Sequence, residues 1–297
     1  MSYQAEYNRS IQEPEGFWGD KAKNIKWFEQ PKKVLSKDEK GNYRWFEGGK
    51  LNTSYLALDY HIEQGRGNQA AIYYDSPVTG VKQTITYNEL RDRTAKFAGA
   101  LASLGVGKGD RVVVYMPMVP EAVISMLACA RLGAIHSVVF GGFASNELAV
   151  RIDDAKPKVI VSASGGMEGK RAIPYKPLLD KAIELAHHKP DHCVILKRPS
   201  IAEATFIAGR DHDFNEILEK SHALDPVFVD AWDPLYILYT SGTTGKPKAL
   251  YATMADMRWR FATPWISFIK LDQAIYSGLL LMWAGLWVTV ILYTHRL

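Results

Sequence analysis

From residue 70 to residue 240 the chain alternates short apolar runs with longer stretches whose apolar positions recur every three or four residues. Ala70 to Tyr74 and Gln83 to Thr86 read as strands. Thr86 followed by Glu89 forms a capping box, and Leu90, Phe97, Leu101 and Leu104 mark a helical stripe that Gly105 stops. Arg111 to Met116 reads as a buried strand, and a helix with Pro120 and Glu121 in its first turn runs to Leu132 and Gly133. Ile135 to Phe140 reads as a strand, Ser145 to Asp153 as a helix, and Val159 to Ala163 as a strand. A helix over Pro174 to Ala186 and strands over Val194 to Leu196 and Tyr236 to Thr240 complete the pattern. Strands alternating with helices predict an α/β fold, a mostly parallel sheet flanked by helices.

The two ends depart from this pattern. Residues 1 to about 65 are polar and studded with Trp18, Trp27, Trp45 and Phe46, and read as an irregular N-terminal extension packed on the main body. Tyr251 to Leu297 holds Trp259, Trp265, Trp283 and Trp287 and no glutamate. Within it, Gln273 to Tyr293 is uncharged and mostly apolar, long enough to cross a bilayer. The N-terminus has neither the basic start nor the apolar stretch of a signal peptide.

Composition narrows the classes. With 47% apolar and 23% charged residues in 297, the chain is globular rather than disordered or fibrous. A net charge of +4 is too weak to argue for nucleic acid. Cys129 and Cys193 are too few for a disulfide or zinc framework and fit a reducing, cytoplasmic setting.

The chemistry gathers after the last strand, in Ser241-Gly242-Thr243-Thr244-Gly245-Lys246-Pro247-Lys248. Two glycines let the backbone turn tightly and bring its N–H groups near an anion, three hydroxyls add donors, and two lysines add charge. The string is a phosphate cradle, although a polar turn after a strand is the plainer alternative for any Gly/Ser/Thr loop. It is not a Walker A loop, because the spacing is G-x-x-G-K and Pro247 stands where a hydroxyl would bind magnesium. Other candidates are weaker. Gly105-Val106-Gly107-Lys108-Gly109 follows a helix and precedes a strand, the wrong context for a dinucleotide fingerprint. His136 in an apolar strand reads as a core histidine, Cys129 as core, and His187 and His188 as partners of a helix C-terminus.

Tyr239 to Lys248 resembles the signature loop of the adenylate-forming acyl-CoA synthetases. Tyr115-Met-Pro-Met-Val-Pro-Glu121 and Leu127 to Phe143 resemble the acetyl- and propionyl-CoA synthetase branch. Arg151 to Pro157, Ile173 to Asp180 and the Gly-Thr-Thr-Gly string look more like propionyl-CoA synthetases. The resemblance runs from about Tyr7 to Ala249. It implies a two-step ligase, in which a short carboxylate, propionate or acetate, attacks the α-phosphate of magnesium ATP and coenzyme A then displaces AMP. Thr240, Ser241, Gly242, Thr243, Thr244, Gly245, Lys246 and Lys248 would then neutralise the ATP phosphates. Phe140, Gly141 and Gly142, with Glu168, Gly169, Lys170 and Arg171, would meet coenzyme A. Glu168 stands where acetyl-CoA synthetases carry an arginine. The family's catalytic lysine belongs to a C-terminal lid domain, so the chain alone is expected to have no ligase activity. The implied division is an extension over 1–65, a partial AMP-binding domain over 66–250 and an aberrant tail over 251–297.

The tail can be tested against the genetic code. Joining the third base of each codon to the first two of the next forces glycine at Met254/Ala255 and aspartate at Trp265/Ile266. It forces valine at Met282/Trp283, and glycine at Trp283/Ala284 and Trp287/Val288. From Tyr251 the junctions permit RDNGGYAVAL, which resembles the segment after the signature loop in this branch. The tail therefore reads as an out-of-frame translation. The alternative is a tail-anchored nucleotide-binding or interaction module held in a membrane by residues 273–293.

Overall fold

The computed structural model describes residues 2–39, 41–240 and 248–254. The N-terminal segment is not irregular as expected. The Ser2 hydroxyl accepts from the Ala5 N–H and starts α1 (Tyr3–Gln12), and Pro14 opens α2 (Pro14–Ala22). β1 (Lys33–Lys37) and β2 (Tyr43–Glu47) form an antiparallel hairpin, its turn closed by the Asn42 N–H donating to Asp38. β3 (Lys50–Leu51), α3 (Thr53–Ala57) and α4 (Asp59–His61) follow. α1 buries none of its residues. α1 rests on its Ser2 cap, and α2 on Pro14 and the buried Phe17, Trp18 and Ala22, too short a pattern for hydrophobic periodicity to reveal.

Beyond this segment the expected alternation appears. β4 (Ala70–Ser76) and β5 (Val81–Thr86) form a second hairpin. α5 (Tyr87–Ser103) starts at the Thr86–Glu89 capping box and ends before Gly105, whose φ is +81°. β6 (Arg111–Met116), α6 (Pro120–Leu132), β7 (Ile135–Phe140), α7 (Ser145–Ala155) and β8 (Val159–Ala163) come next. A short hairpin, β9 (Gly165–Glu168) with β10 (Arg171–Pro174), precedes α8 (Tyr175–Leu185) and β11 (His192–Leu196). The chain continues through β12 (Asp211–Asp213), α9 (Phe214–Lys220), β13 (Val229–Asp230), β14 (Pro234–Thr240) and β15 (Lys248–Thr253).

Seven strands form one sheet in the order β12-β11-β8-β6-β7-β14-β15. All neighbours are parallel except β14 and β15, which pair antiparallel with Thr240 opposite Lys248. α5 packs with α6 and α9, and α7 packs with α8. The sheet is thus covered on both faces, which is why β6 is buried from Val112 through Met116 instead of alternating. Each such fully buried Val contributes about 1.5–3 kcal/mol of transfer free energy.

Polar bonds fasten the N-terminal segment to this body. The Asn52 side chain caps α3 through the Tyr55 N–H and donates to the carbonyls of Ala130, Arg131 and Val227. The Arg131 guanidinium, 2% exposed, grips Asp59 through two bonds of 2.7 and 3.0 Å and donates to the Leu224 carbonyl. β13 pairs with β3, and the Trp232 indole N–H donates to the Trp45 carbonyl. After β14 the backbone pairing continues to Thr253 opposite Pro234, and the Met254 side chain is buried against Thr53. Ladder bonds use backbone atoms alone, so strand pairing tolerates the change of composition at Tyr251.

Candidate functional site

The strand order creates a crevice. From β6 the chain moves through α6 to β7 on one side, whereas from β8 it moves through α8 to β11 on the other. Loops leaving the carboxyl ends of β6 and β8 therefore diverge, the usual ligand position in an open α/β sheet. A cleft of about 260 Å³ lies there. Pro117 and Met118 line it from β6, Phe140 and Gly141 from β7, Met167 from β9, Tyr175 from the start of α8, and Arg198 from beyond β11. The turn of the β4–β5 hairpin, Tyr74 to Val78, completes its wall.

The wall is built around two phenols. The Tyr175 ring is wedged between backbones: a Cβ at Gly141 would stand 2.7 Å from its hydroxyl, and one at Gly166 would overlap it. Only glycine at both positions leaves room for that ring. The Tyr115 hydroxyl donates to the Phe143 carbonyl at 3.0 Å and accepts from the Gly142 N–H at 3.3 Å, which fixes the turn after β7. Burial pushes the Tyr115 phenol up to about 12, so both hydrogen bonds keep their direction across the physiological range. Phe140 is 55% exposed at the lip.

The structure brings Phe140, Gly141 and Met167 into one cleft. Gly142, at φ +97°, forms the turn behind them. Glu168, Gly169, Lys170 and Arg171 lie at the exposed tip of the β9–β10 hairpin, with Gly169 at φ +57° making its turn. Of the expected phosphate cradle, Ser241, Gly242, Thr243, Thr244, Gly245 and Lys246 lie outside the described residues. Thr240 and Lys248 are paired in the strands that flank it, at the same carboxyl edge as the cleft.

Arg151 links these two places. Its guanidinium carbon lies 4.9 Å from the Phe143 ring centroid and 5.3 Å from that of Tyr239. The Tyr239 hydroxyl donates to Asp154 at 2.7 Å. Tyr175, Arg198 and this role of Arg151 were not found in the sequence. A signal existed for Arg198, which sits two residues past a predicted strand at the edge where ligands bind.

The remaining candidates are structural. His136 is buried in β7, and burial lowers its imidazole to about 4. His187 and His188 fall beyond the end of α8 and do not cap it. His187 faces Asp153, and Lys189 donates to the last carbonyls of α8, Ile183 and Glu184. The Gly105–Gly109 stretch is the turn between α5 and β6, with the Gly107 N–H donating to Asp110. Among the described residues no three His, Cys, Asp or Glu side chains could hold a metal. No helix there is long and apolar enough to cross a membrane, and residues 273–293 lie outside that set.

Comparison with known proteins gives a consistent picture. The AMP-binding enzyme family matches residues 59–295, and the acetyl-coenzyme A synthetase N-terminus matches residues 3–57. An uncharacterized protein of Pseudomonas aeruginosa is 55% identical over 250 residues, 84% of this chain and 40% of that protein. The mitochondrial acyl-CoA synthetase short-chain family member 3 of Rattus norvegicus is 49% identical over 248 residues, 84% of this chain and 36% of its own. The chain thus spans about two fifths of the length of these curated relatives. The solved acetoacetyl-CoA synthetase from Streptomyces lividans shares the fold at a TM-score of 0.81 and 24% identity, over 91% of this chain and 41% of that one. With a segment similar to the acetyl-coenzyme A synthetase N-terminus running into a sheet whose carboxyl edge carries the cleft, the chain belongs to the AMP-binding enzyme family.

Proposed function

We propose that this chain is part of an AMP-forming ligase that joins a short carboxylate, propionate before acetate, to coenzyme A. The observation that carries the reading is the cleft at the carboxyl edge, flanked by the strands that bear the phosphate loop. A coenzyme A nucleotide needs a ring surface and a cation, and Phe140, Tyr175 and Arg198 offer both. Residues 240–248, rich in hydroxyls and lysines, suit the pyrophosphate that leaves ATP. Magnesium would reduce the repulsion between ATP and the incoming carboxylate. This chain's own residues would orient the phosphates and hold coenzyme A at the cleft. Within the proposal, residues 1–65 are the extension and 66–250 the ligase body. The two unpaired thiols, Cys129 and Cys193, fit a cytoplasmic home.

For residues 251–297 we propose a shifted reading frame. The forced junctions at Met254, Trp265, Met282, Trp283 and Trp287 support it. The alignments to the relatives cover 84% of the chain, whereas the AMP-binding match continues to residue 295. The nucleotide sequence decides: the other frame should stay open past Leu250 and encode Arg-Asp-Asn-Gly-Gly. A homologous gene encoding the present tail in frame would overturn the shift.

Function is tested by carboxylate-dependent exchange of labelled pyrophosphate into ATP, using the protein with that frame restored. Propionate should give a higher kcat/KM than acetate, and the 297-residue chain should give no exchange. Equal rates with and without carboxylate would refute the ligase reading.

A further inference from the structure

Two ionised side chains, Arg198 and Asp75, line the cleft. Asp75 is already paired, since Lys82 across the β4–β5 hairpin meets its carboxylate at 2.8 Å. Arg198 has no carboxylate partner among the described residues. It is nevertheless held in place. One guanidinium N–H donates to the Gly165 carbonyl at 3.0 Å, and the Arg198 backbone N–H donates to the Ser164 hydroxyl at 2.8 Å. A guanidinium carries five N–H donors, so most remain for a ligand. Met118, Met167 and Tyr175 line the same cleft, and the Arg198 charge acts on the Tyr175 phenol. A half-buried, unpaired cation against such a wall is costly unless an anion completes it.

The rest of the cleft suggests what accompanies that anion. Phe140 presents a largely open aromatic ring at the lip, and its position is set by the Tyr115-braced turn behind it. An open ring and an oriented guanidinium in one cleft match a phosphorylated nucleoside, with the base on the ring and a phosphate on the fork.

We propose that Arg198 is the anion anchor of this cleft, gripping a phosphate on the nucleotide end of coenzyme A while Phe140 takes the base. This rests on the acyl-CoA ligase reading. It assigns to Arg198 the charge that the exposed hairpin tip, with Glu168 among its residues, does not bring into the cleft. Arg198 is a binding residue here and touches no reacting atom.

The test is calorimetric titration of the 297-residue chain and its Arg198→Met and Arg198→Lys variants with three probes. Coenzyme A carries base and phosphates, adenosine 3′,5′-bisphosphate carries the nucleotide alone, and pantetheine carries neither base nor phosphate. Arg198→Met should weaken coenzyme A and the bisphosphate by at least about tenfold, leaving pantetheine and the melting temperature unchanged. Arg198→Lys should recover part of the affinity and steepen its loss with salt, because lysine is a point charge without the fork. Should Arg198→Met not fold, the lysine variant carries the test, and unchanged affinity and salt dependence in it overturn the proposal. Coenzyme A binding equal in the original chain and Arg198→Met removes Arg198 and leaves the ligase reading standing. Arg198-dependent binding of the bisphosphate without any binding of coenzyme A keeps the anchor and removes the ligase reading. No binding of any probe to the original chain overturns both.

Discussion

His136 shows how much one side chain can say. It lies in β7 opposite Tyr236, its ring 5.7 Å from the tyrosine ring, and its Nδ1 has no hydrogen-bond partner among the described residues. Burial drops its imidazole to about 4, whereas an unfolded chain takes up that proton near 6.5. Between those values the unfolded state binds more protons, so stability is whole above pH 6.5 and falls as the pH drops toward 4. The loss is on the order of 3 kcal/mol from this residue. Urea unfolding at pH 7.5 and 4.5 should show a smaller drop in His136→Leu than in the parent, and equal drops would contradict the assignment. The two cysteines obey the same logic. Burial pushes both thiols up to about 12. Iodoacetamide at pH 8 should label Cys129 and Cys193 only after denaturation. The inert character of His136 and Cys129 was legible in the sequence, because one sits in a mostly apolar strand and the other on an apolar helix. Arg198 was not picked out: the predicted strand ending two residues before it was a signal, but which strand ends gather at the cleft depends on strand order.

At the scale of elements, what was legible depended on how each helix or strand is stabilised. α5 and α6 announced themselves through Thr86–Glu89, Pro120 and Gly133, and β6, β7 and β8 through apolar runs. The β9–β10 hairpin did not. Gly165, Gly166 and Met167 have no alternation to read; the strand is held by its pairing with β10, and Tyr175 leaves no room for a side chain at Gly166. Gly166→Ala would drive a methyl group into the Tyr175 hydroxyl. It should cost about 1–3 kcal/mol in chemical denaturation and weaken coenzyme A binding together with it. Normal stability with normal binding would show that Tyr175 can leave its slot freely. Arg151 plays a comparable part between Phe143 and Tyr239. Arg151→Met keeps its bulk and loses both ring contacts and the bond to the Glu147 carbonyl, so a loss of about 1–2 kcal/mol is expected. A thermal melt unchanged from the parent would contradict that linkage.

At the scale of the whole molecule, the N-terminal segment is joined to the sheet by an apolar cluster, Phe17, Trp18, Trp27 and Phe46 with Leu235, Tyr236 and Met254, and by a few buried polar bonds. Asn52 alone caps α3 and satisfies carbonyls at Ala130, Arg131 and Val227. Asn52→Ala leaves them without that donor and should cost about 3 kcal/mol, read as a lower urea midpoint with an unchanged slope. An unaltered midpoint would mean that the Asn52 bonds add nothing to the apolar packing that already joins the segment to the body. That the aromatic-studded segment packs on the body was legible beforehand, but the Asn52 and Arg131 bonds were not, since their partners lie far apart in the chain. The parallel sheet, by contrast, was anticipated from strand–helix alternation, and its carboxyl edge gathers on one side the cleft and the ends of β14 and β15 that flank the proposed phosphate loop. That gathering is the basis for reading a ligase. Its most direct test is the product formed from propionate, ATP and coenzyme A by the protein with its frame restored after Leu250. Mass spectrometry should find propionyl-CoA and AMP in equal amounts, and ADP in place of AMP, or no acyl-CoA from any short carboxylate, would contradict the account.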